Sequence, residues 1–208
     1  MNHSQKFWDK KAEAYSKSAI SDEASYQRKL LETQSYLSAD MQVLEFGCGT
    51  GSTAIHHAPY VKHINAIDIS DNMLDIARQK ARDANVENIR FTRATLEEFN
   101  ADEASMDAVL ALNVIHLLPD RLSAIKEAAR ILKPGGVFIS STACLGDSYF
   151  RFLKPIASIA RFFGLIPDVS VFTKADLISD IEQAGFTINN QWQHGADGMA
   201  VFLIATRA

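Results

Sequence analysis

Short β-rich runs recur along the first two thirds of the chain: Val43-Leu44-Glu45-Phe46, Ile64-Asn65-Ala66-Ile67-Asp68-Ile69, Ile89-Arg90-Phe91-Thr92, Asp107-Ala108-Val109-Leu110-Ala111-Leu112 and Val137-Phe138-Ile139-Ser140. Several are almost continuously apolar, which predicts strands covered on both faces, as in a parallel sheet. Between them the apolar positions change to helical spacing. Met73, Leu74, Ala77 and Ala81 share one face and leave Arg78, Lys80 and Arg82 to solvent. Leu122, Ile125, Ala129 and Leu132 make a second stripe, stopped by Lys133-Pro134-Gly135-Gly136. Proline disfavours helix in the residue before it, and the glycines supply the turn. Thr173 and Asp176 resemble a capping box for a helix carrying Leu177, Ile178 and Ile181, with Gly185 just past its end. Two last runs, 186–193 and 200–206, predict a closing hairpin around Gly195 and Gly198. The alternation predicts an α/β fold: a doubly wound, Rossmann-like sandwich with a mostly parallel sheet and a C-terminal antiparallel strand.

Composition narrows the functions available. The 208 residues hold 21 Lys and Arg against 25 Asp and Glu, a formal charge of −4. No global basic field exists to hold nucleic acid, so no nucleic-acid partner is expected. Cys48 and Cys144 are the two cysteines, too few and too far apart for a disulfide framework or a zinc site. His56, His57 and His194 have no partners at metal spacing, so surface or helix-end roles are expected and no metal is. The N-terminal segment is charged and lacks the apolar stretch of a signal peptide. The longest apolar stretch, 155–167, is broken by Arg161 and falls short of the ~20 residues that span a bilayer, so no transmembrane segment is expected. The default compartment is the cytoplasm. No repeat or linker divides the chain, which predicts one domain over 1–208.

The strongest local signal lies where the first strand meets a helix, at Gly47-Cys48-Gly49-Thr50-Gly51-Ser52. Glycines let backbone approach a ligand closely, and the helix that follows directs free N–H groups at it. In an open α/β sheet, ligands sit beyond the carboxyl ends of the strands near the topological switch. Asp68, at the end of the second strand, can accept hydrogen bonds from both hydroxyls of a ribose. A dinucleotide fingerprint wants Gly-x-Gly-x-x-Gly/Ala, and here Ser52 holds the third position. Glu45 adds negative charge beside the loop, which a pyrophosphate would resist and a cationic group would not. Ribose, adenine and a positive charge are the ligand features that fit.

Val43 to Ser52 resembles the first motif of class I S-adenosylmethionine-dependent methyltransferases, and Ile67-Asp68-Ile69-Ser70-Asp71-Asn72-Met73-Leu74 resembles their second. The run from Asp107 to His116 is similar to the fourth, and Leu132-Lys133-Pro134-Gly135-Gly136 to the segment after it. The resemblance covers roughly 40–142. It implies that S-adenosyl-L-methionine is the cofactor, cradled by Gly47, Gly49 and Gly51. It further implies that Glu45 reaches the methionine amino group, Asp68 holds the ribose hydroxyls, Met73 packs beside the adenine, and Asn113 lies near the transferred methyl. The family's third motif usually offers an acid to the adenine; here Thr95 stands there, and Thr95 with the Leu96 backbone either serves the ring or simply caps the next helix. The segment from Phe7 to Tyr15 resembles a lid of small-molecule methyltransferases. It implies a helical lid over 1–40, with Tyr15 bordering the sulfonium or Phe7 and Trp8 anchoring a core helix.

The implied activity is methyl transfer to a small, partly apolar acceptor. Its rivals are a non-catalytic S-adenosylmethionine-binding module and an NAD(P)-dependent oxidoreductase. His116 is the candidate general base, against a wall position before Leu117-Leu118-Pro119. A substrate-side insert is expected over 143–172, where 148–167 carries Arg151, Lys154 and Arg161 and no acid. An acceptor lid, a homodimer interface and a membrane-surface helix all fit that composition.

Overall fold

The computed structural model describes residues 3–147, 168–195 and 198–208. The expectations for 148–167 lie outside the described residues. Two N-terminal helices, α1 (His3–Ser16) and α2 (Glu23–Gln34), precede the alternating units. These are β1 (Gln42–Phe46), α3 (Ser52–His57), β2 (His63–Asp68), α4 (Asp71–Asp83), β3 (Ile89–Arg93), α5 (Leu96–Phe99), β4 (Met106–Leu112), α6 (Arg121–Ile131), β5 (Leu132–Ala143), α7 (Lys174–Gln183), β6 (Phe186–His194) and β7 (Ala200–Arg207). The sheet order is β3-β2-β1-β4-β5-β7-β6. Neighbours are parallel except at β7, which enters between β5 and β6 and runs antiparallel to both.

The continuous apolar runs are explained by two cores, one on each face of the sheet. Along β4, Val109 and Ala111 enter one cluster, with Ile125, Phe138 and Leu177, while Ala108 and Leu110 enter the other, with Ala54 and Leu74. Along β7, Val201, Leu203 and Ala205 alternate in the same way with Phe202 and Ile204. A period of two with both phases apolar is what a strand needs when helices cover both faces. The chain winds β1 to β3 in one direction and restarts at β4 on the other side of β1. That places the topological switch, and the crevice it opens, at the carboxyl ends of β1 and β4.

Local signals produced the elements they predict. Met73, Leu74, Ala77 and Ala81 are the buried face of α4. Thr173 and Asp176 form a full capping box on α7, and Gly185 takes φ +90 beyond it. One boundary differs. Leu132 belongs to β5 rather than to the helix before it, because it pairs with Met106 ahead of a register shift that restores regular pairing at Ala108–Val137. β5 also runs on to Ala143, where β7 matches it residue by residue.

The α2 helix is fastened to the far edge of the sheet through one carboxylate. Glu32 Oε2 accepts from Asn190 Nδ2 and Trp192 Nε1, both at 2.9 Å, and the Arg28 guanidinium lies 4.0 Å from the Trp192 ring centroid. Among the described residues, no helix is long and apolar enough to cross a membrane. Nor does any group of three or more His, Cys, Asp or Glu among them stand ready for a metal ion.

Candidate functional site

The glycine loop closes the crevice from below. Gly47, Gly49 and Gly51 all have positive φ, which glycine adopts without steric cost. The loop is tied down at Cys48, whose N–H donates to the Ile67 carbonyl at 3.0 Å, and by Lys80, whose Nζ donates to Thr50 Oγ1 and Ser52 Oγ at 3.1 and 3.0 Å. Gly47 and Gly51 are also packing glycines. A Cβ on Gly47 would lie 2.6 Å from Val114 Cβ, and one on Gly51 2.8 Å from Ala77 Cβ.

Asp68 is already oriented. One carboxylate oxygen accepts the Gly49 N–H and the other the Ser70 N–H, each at 2.9 Å. Two oxygens offer about four acceptor positions, so both retain capacity for incoming hydroxyls. Burial pushes the Asp68 carboxyl up, and the two N–H bonds work against that rise.

Glu45 presents a different situation. The side chain is 2% exposed, and its Oε2 has no hydrogen-bond partner. Desolvation, followed by repulsion from Asp68, raises its pKa to about 8. A buried, unpaired carboxyl of this kind is costly unless something cationic meets it.

Over these groups lies a cavity of about 390 Å³. Gly47, Gly49, Asp68, Met73, Thr95, Leu96 and Asn113 border it, and Trp8 and Tyr15 close it from α1. Tyr15 Cε1 would stand 4.0 Å from a Cβ on Gly49, and the Trp8 and Tyr15 rings meet edge-on at 6.1 Å. Asp9 latches α1 in place. Its Oδ1 accepts from Ser70 Oγ at 2.7 Å and from the Asn72 N–H at 3.3 Å, and its carbonyl accepts from Asn72 Nδ2 at 3.0 Å. At the other end of the roof, Ser4 Oγ donates to Asp168 at 2.8 Å.

Most expected site residues are therefore brought together, and the exceptions have physical causes. Glu45 and Gly51 do not border the cavity: Glu45 is buried in β1 and Gly51 packs against α4. Thr95 borders it, but its hydroxyl caps α5 by accepting the Glu98 N–H at 3.1 Å. His116 stands outside the lining, with its Nδ1 3.3 Å from Thr142 Oγ1. Burial lowers its pKa to about 4, so it is neutral and a weak base near pH 7.

Of the other histidines, His56 is exposed in the last turn of α3 and His57 ends that helix, as expected, but His57 and His194 are not free surface groups. His57 is fully buried with both ring nitrogens unpartnered, and burial lowers its pKa to about 4. His194 joins a polar cluster around Ser141, its Nε2 3.2 Å from the hydroxyl. Sequence pattern does not single out Asp9, Glu97 or Lys29. Each is one charged residue on an amphipathic helix, and no local spacing distinguishes it from a solvated one.

Residues 43–136 match a family model described as a methyltransferase domain. An uncharacterized methyltransferase of Bacillus subtilis is 34% identical over 101 residues, which are 49% of this chain and 40% of that protein. One of Schizosaccharomyces pombe is 31% identical over 166 residues, 73% of this chain and 58% of its own length. The chain thus spans about half the length of the curated relatives it matches. Among solved structures, a SAM-dependent methyltransferase of Thermotoga maritima aligns with a TM-score of 0.73 at 21% identity, covering 98% of this chain and 99% of that one. At that identity the likeness establishes the shared fold.

Proposed function

We propose that the chain, whose residues 43–136 match a methyltransferase-domain model, is a class I S-adenosylmethionine-dependent methyltransferase that moves the methyl group of S-adenosylmethionine to a small, partly apolar acceptor. The observation that carries this proposal is Asp68, which borders the cavity with its carboxylate fixed by the Gly49 and Ser70 N–H groups. Behind the glycine loop, the buried Glu45 carboxyl with its unpartnered oxygen adds negative charge that favours a cationic ligand nearby.

The other residues fit the same cofactor. Asp68 holds acceptor capacity where ribose hydroxyls would meet it, with its carboxylate fixed by Gly49 and Ser70. Met73, Thr95 and Leu96 form the wall assigned to the adenine, and Glu97 beside them offers the acid that Thr95 lacks. Tyr15 and Trp8 bring aromatic faces toward positive charge.

When bound, S-adenosylmethionine supplies an electrophilic methyl on sulfur, so this chain needs to bind, orient and exclude water. Holding donor and acceptor in attacking geometry is worth about 7–11 kcal/mol. Asn113, at φ +60 just past β4, borders the cavity and is the residue we assign to the acceptor end, where that alignment would be set. The latched α1 supplies the roof that keeps water out.

The test is methyl release from labelled S-adenosylmethionine across a panel of small acceptors. Turnover on at least one acceptor, lost in Asp68→Ala, is expected. Tight S-adenosylhomocysteine binding without turnover on any acceptor would make the chain a binding module instead.

A further inference from the structure

A polar cluster with one ammonium, that of Lys29, and a neutral imidazole, that of His194, whose pKa burial lowers to about 4, surrounds the buried hydroxyl of Ser141. Lys29 Nζ from α2 lies 3.5 Å from Ser141 Oγ, His194 Nε2 from the end of β6 lies 3.2 Å from it, and Asn113 Oδ1 lies 3.4 Å from it. Asn113 lines the cofactor cavity, so the cluster abuts it. We propose that Lys29, Ser141, His194 and Asn113 form an anion subsite that holds a carboxylate of the methyl acceptor. The assignment of that carboxylate to an acceptor rests on the methyl-transfer proposal.

Three features support an anion here. First, two of the three contacts to the Ser141 hydroxyl, those of Lys29 and Asn113 at 3.5 and 3.4 Å, exceed the usual ~2.7–3.2 Å, so the hydroxyl is loosely shared. Second, donors outnumber acceptors. The ammonium brings three N–H groups, and Ser141 is its hydrogen-bond partner among the described residues. Asn113, with its oxygen turned to Ser141, keeps its NH2 for a ligand, and His194 can present an N–H in the appropriate tautomer.

Third, the cation is held in place. Glu32, one turn along α2 from Lys29, anchors the helix to Asn190 and Trp192, and the Trp192 ring lies 5.3 Å from that of His194. Asp22 also acts electrostatically on Lys29 and His194, but one of its oxygens is committed to capping α2 through the Ser25 N–H at 3.0 Å. Burial pulls the Lys29 ammonium down from its ordinary range, as expected of a charge that lacks a close counter-ion. Asp68 borders the cavity, and Asn113 joins it through Ser141 to Lys29, so groups of both signs attend the site, as suits a cationic donor and an anionic acceptor.

The experiment measures S-adenosylhomocysteine by calorimetry, then benzoate and its neutral isostere benzamide by NMR titration, on wild type, Lys29→Met and Lys29→Arg. Saturable benzoate binding that shifts the His194 ring resonances is expected, with benzamide at least about tenfold weaker, as loss of a charge-assisted hydrogen bond implies. Lys29→Met should weaken benzoate by a similar factor and leave S-adenosylhomocysteine affinity unchanged, while Lys29→Arg retains benzoate. Equal binding of benzoate and benzamide, no benzoate binding, or indifference to Lys29→Met overturns the subsite. If Lys29→Met instead weakens S-adenosylhomocysteine, the carboxylate belongs to the cofactor's methionine and the acceptor assignment falls. Failure of wild type to bind S-adenosylhomocysteine at all would sink the methyl-transfer proposal and leave the benzoate result to judge the anion site by itself.

Discussion

Glu45 concentrates the chemistry of the site in one group. With its pKa raised from 4.5 to about 8, it is protonated at pH 7 in the free protein. Between those values the folded chain holds a proton that the unfolded chain has lost, so Glu45 makes stability fall as pH rises through that window. A ligand ammonium placed beside it favours the ionised form and expels the proton. Calorimetry of S-adenosylhomocysteine binding at pH 7, in buffers of different ionisation enthalpy, should therefore show net proton release. Glu45→Gln should abolish that release and flatten the pH dependence of stability. Heats independent of buffer in the wild type would mean that no cation meets this carboxyl.

The elements differ in how far their positions can be read from local pattern. The α4 face and the α7 capping box depend on residues three or four apart, and both are legible in the amino-acid order alone. So are the glycine loop and Asp68, because strand, turn and acid lie within one crossover. The Asp9 latch joins positions 61 and 63 apart, and the Lys29–Ser141 contact joins positions 112 apart. Such contacts exist only after the sheet has brought distant segments together. The placement of Leu132 in β5 has the same cause, since a cross-strand partner overrides the helical stripe that it completes in sequence. The α1 helix buries only Gln5 and Ala12, so polar latches rather than apolar burial hold it over the cavity. Asp9→Ala should lower hydrogen-exchange protection across His3–Ser16 and weaken S-adenosylhomocysteine by about 0.5–1.5 kcal/mol, the net worth of a hydrogen bond. Unaltered protection and affinity would show that the roof does not depend on the latch.

At the scale of the whole molecule, a sheet with two dry faces supplies rigidity, and its carboxyl edge supplies the site. Phe138 is fully buried in β5 and stacks on Phe186 with centroids 5.2 Å apart, joining β5 to the strand beyond β7. Phe138→Ala should cost about 3–5 kcal/mol. For a domain of this size that is a fall of roughly 6–20 °C in the unfolding midpoint, which thermal denaturation would measure. The cost follows from the core alone and carries no information about ligands, which is why stability and binding must be read separately.

The central claim is that the cofactor's ribose is held by Asp68 where the glycine loop meets the carboxyl edge of the sheet. Calorimetric titration of S-adenosylhomocysteine into wild type and Asp68→Ala tests it most directly. Saturable binding that Asp68→Ala weakens by about 1.5–3 kcal/mol, the usual worth of a hydrogen bond to a charged group, is the result predicted. Equal affinity in the two proteins would contradict the account, because the nucleoside would then lie elsewhere.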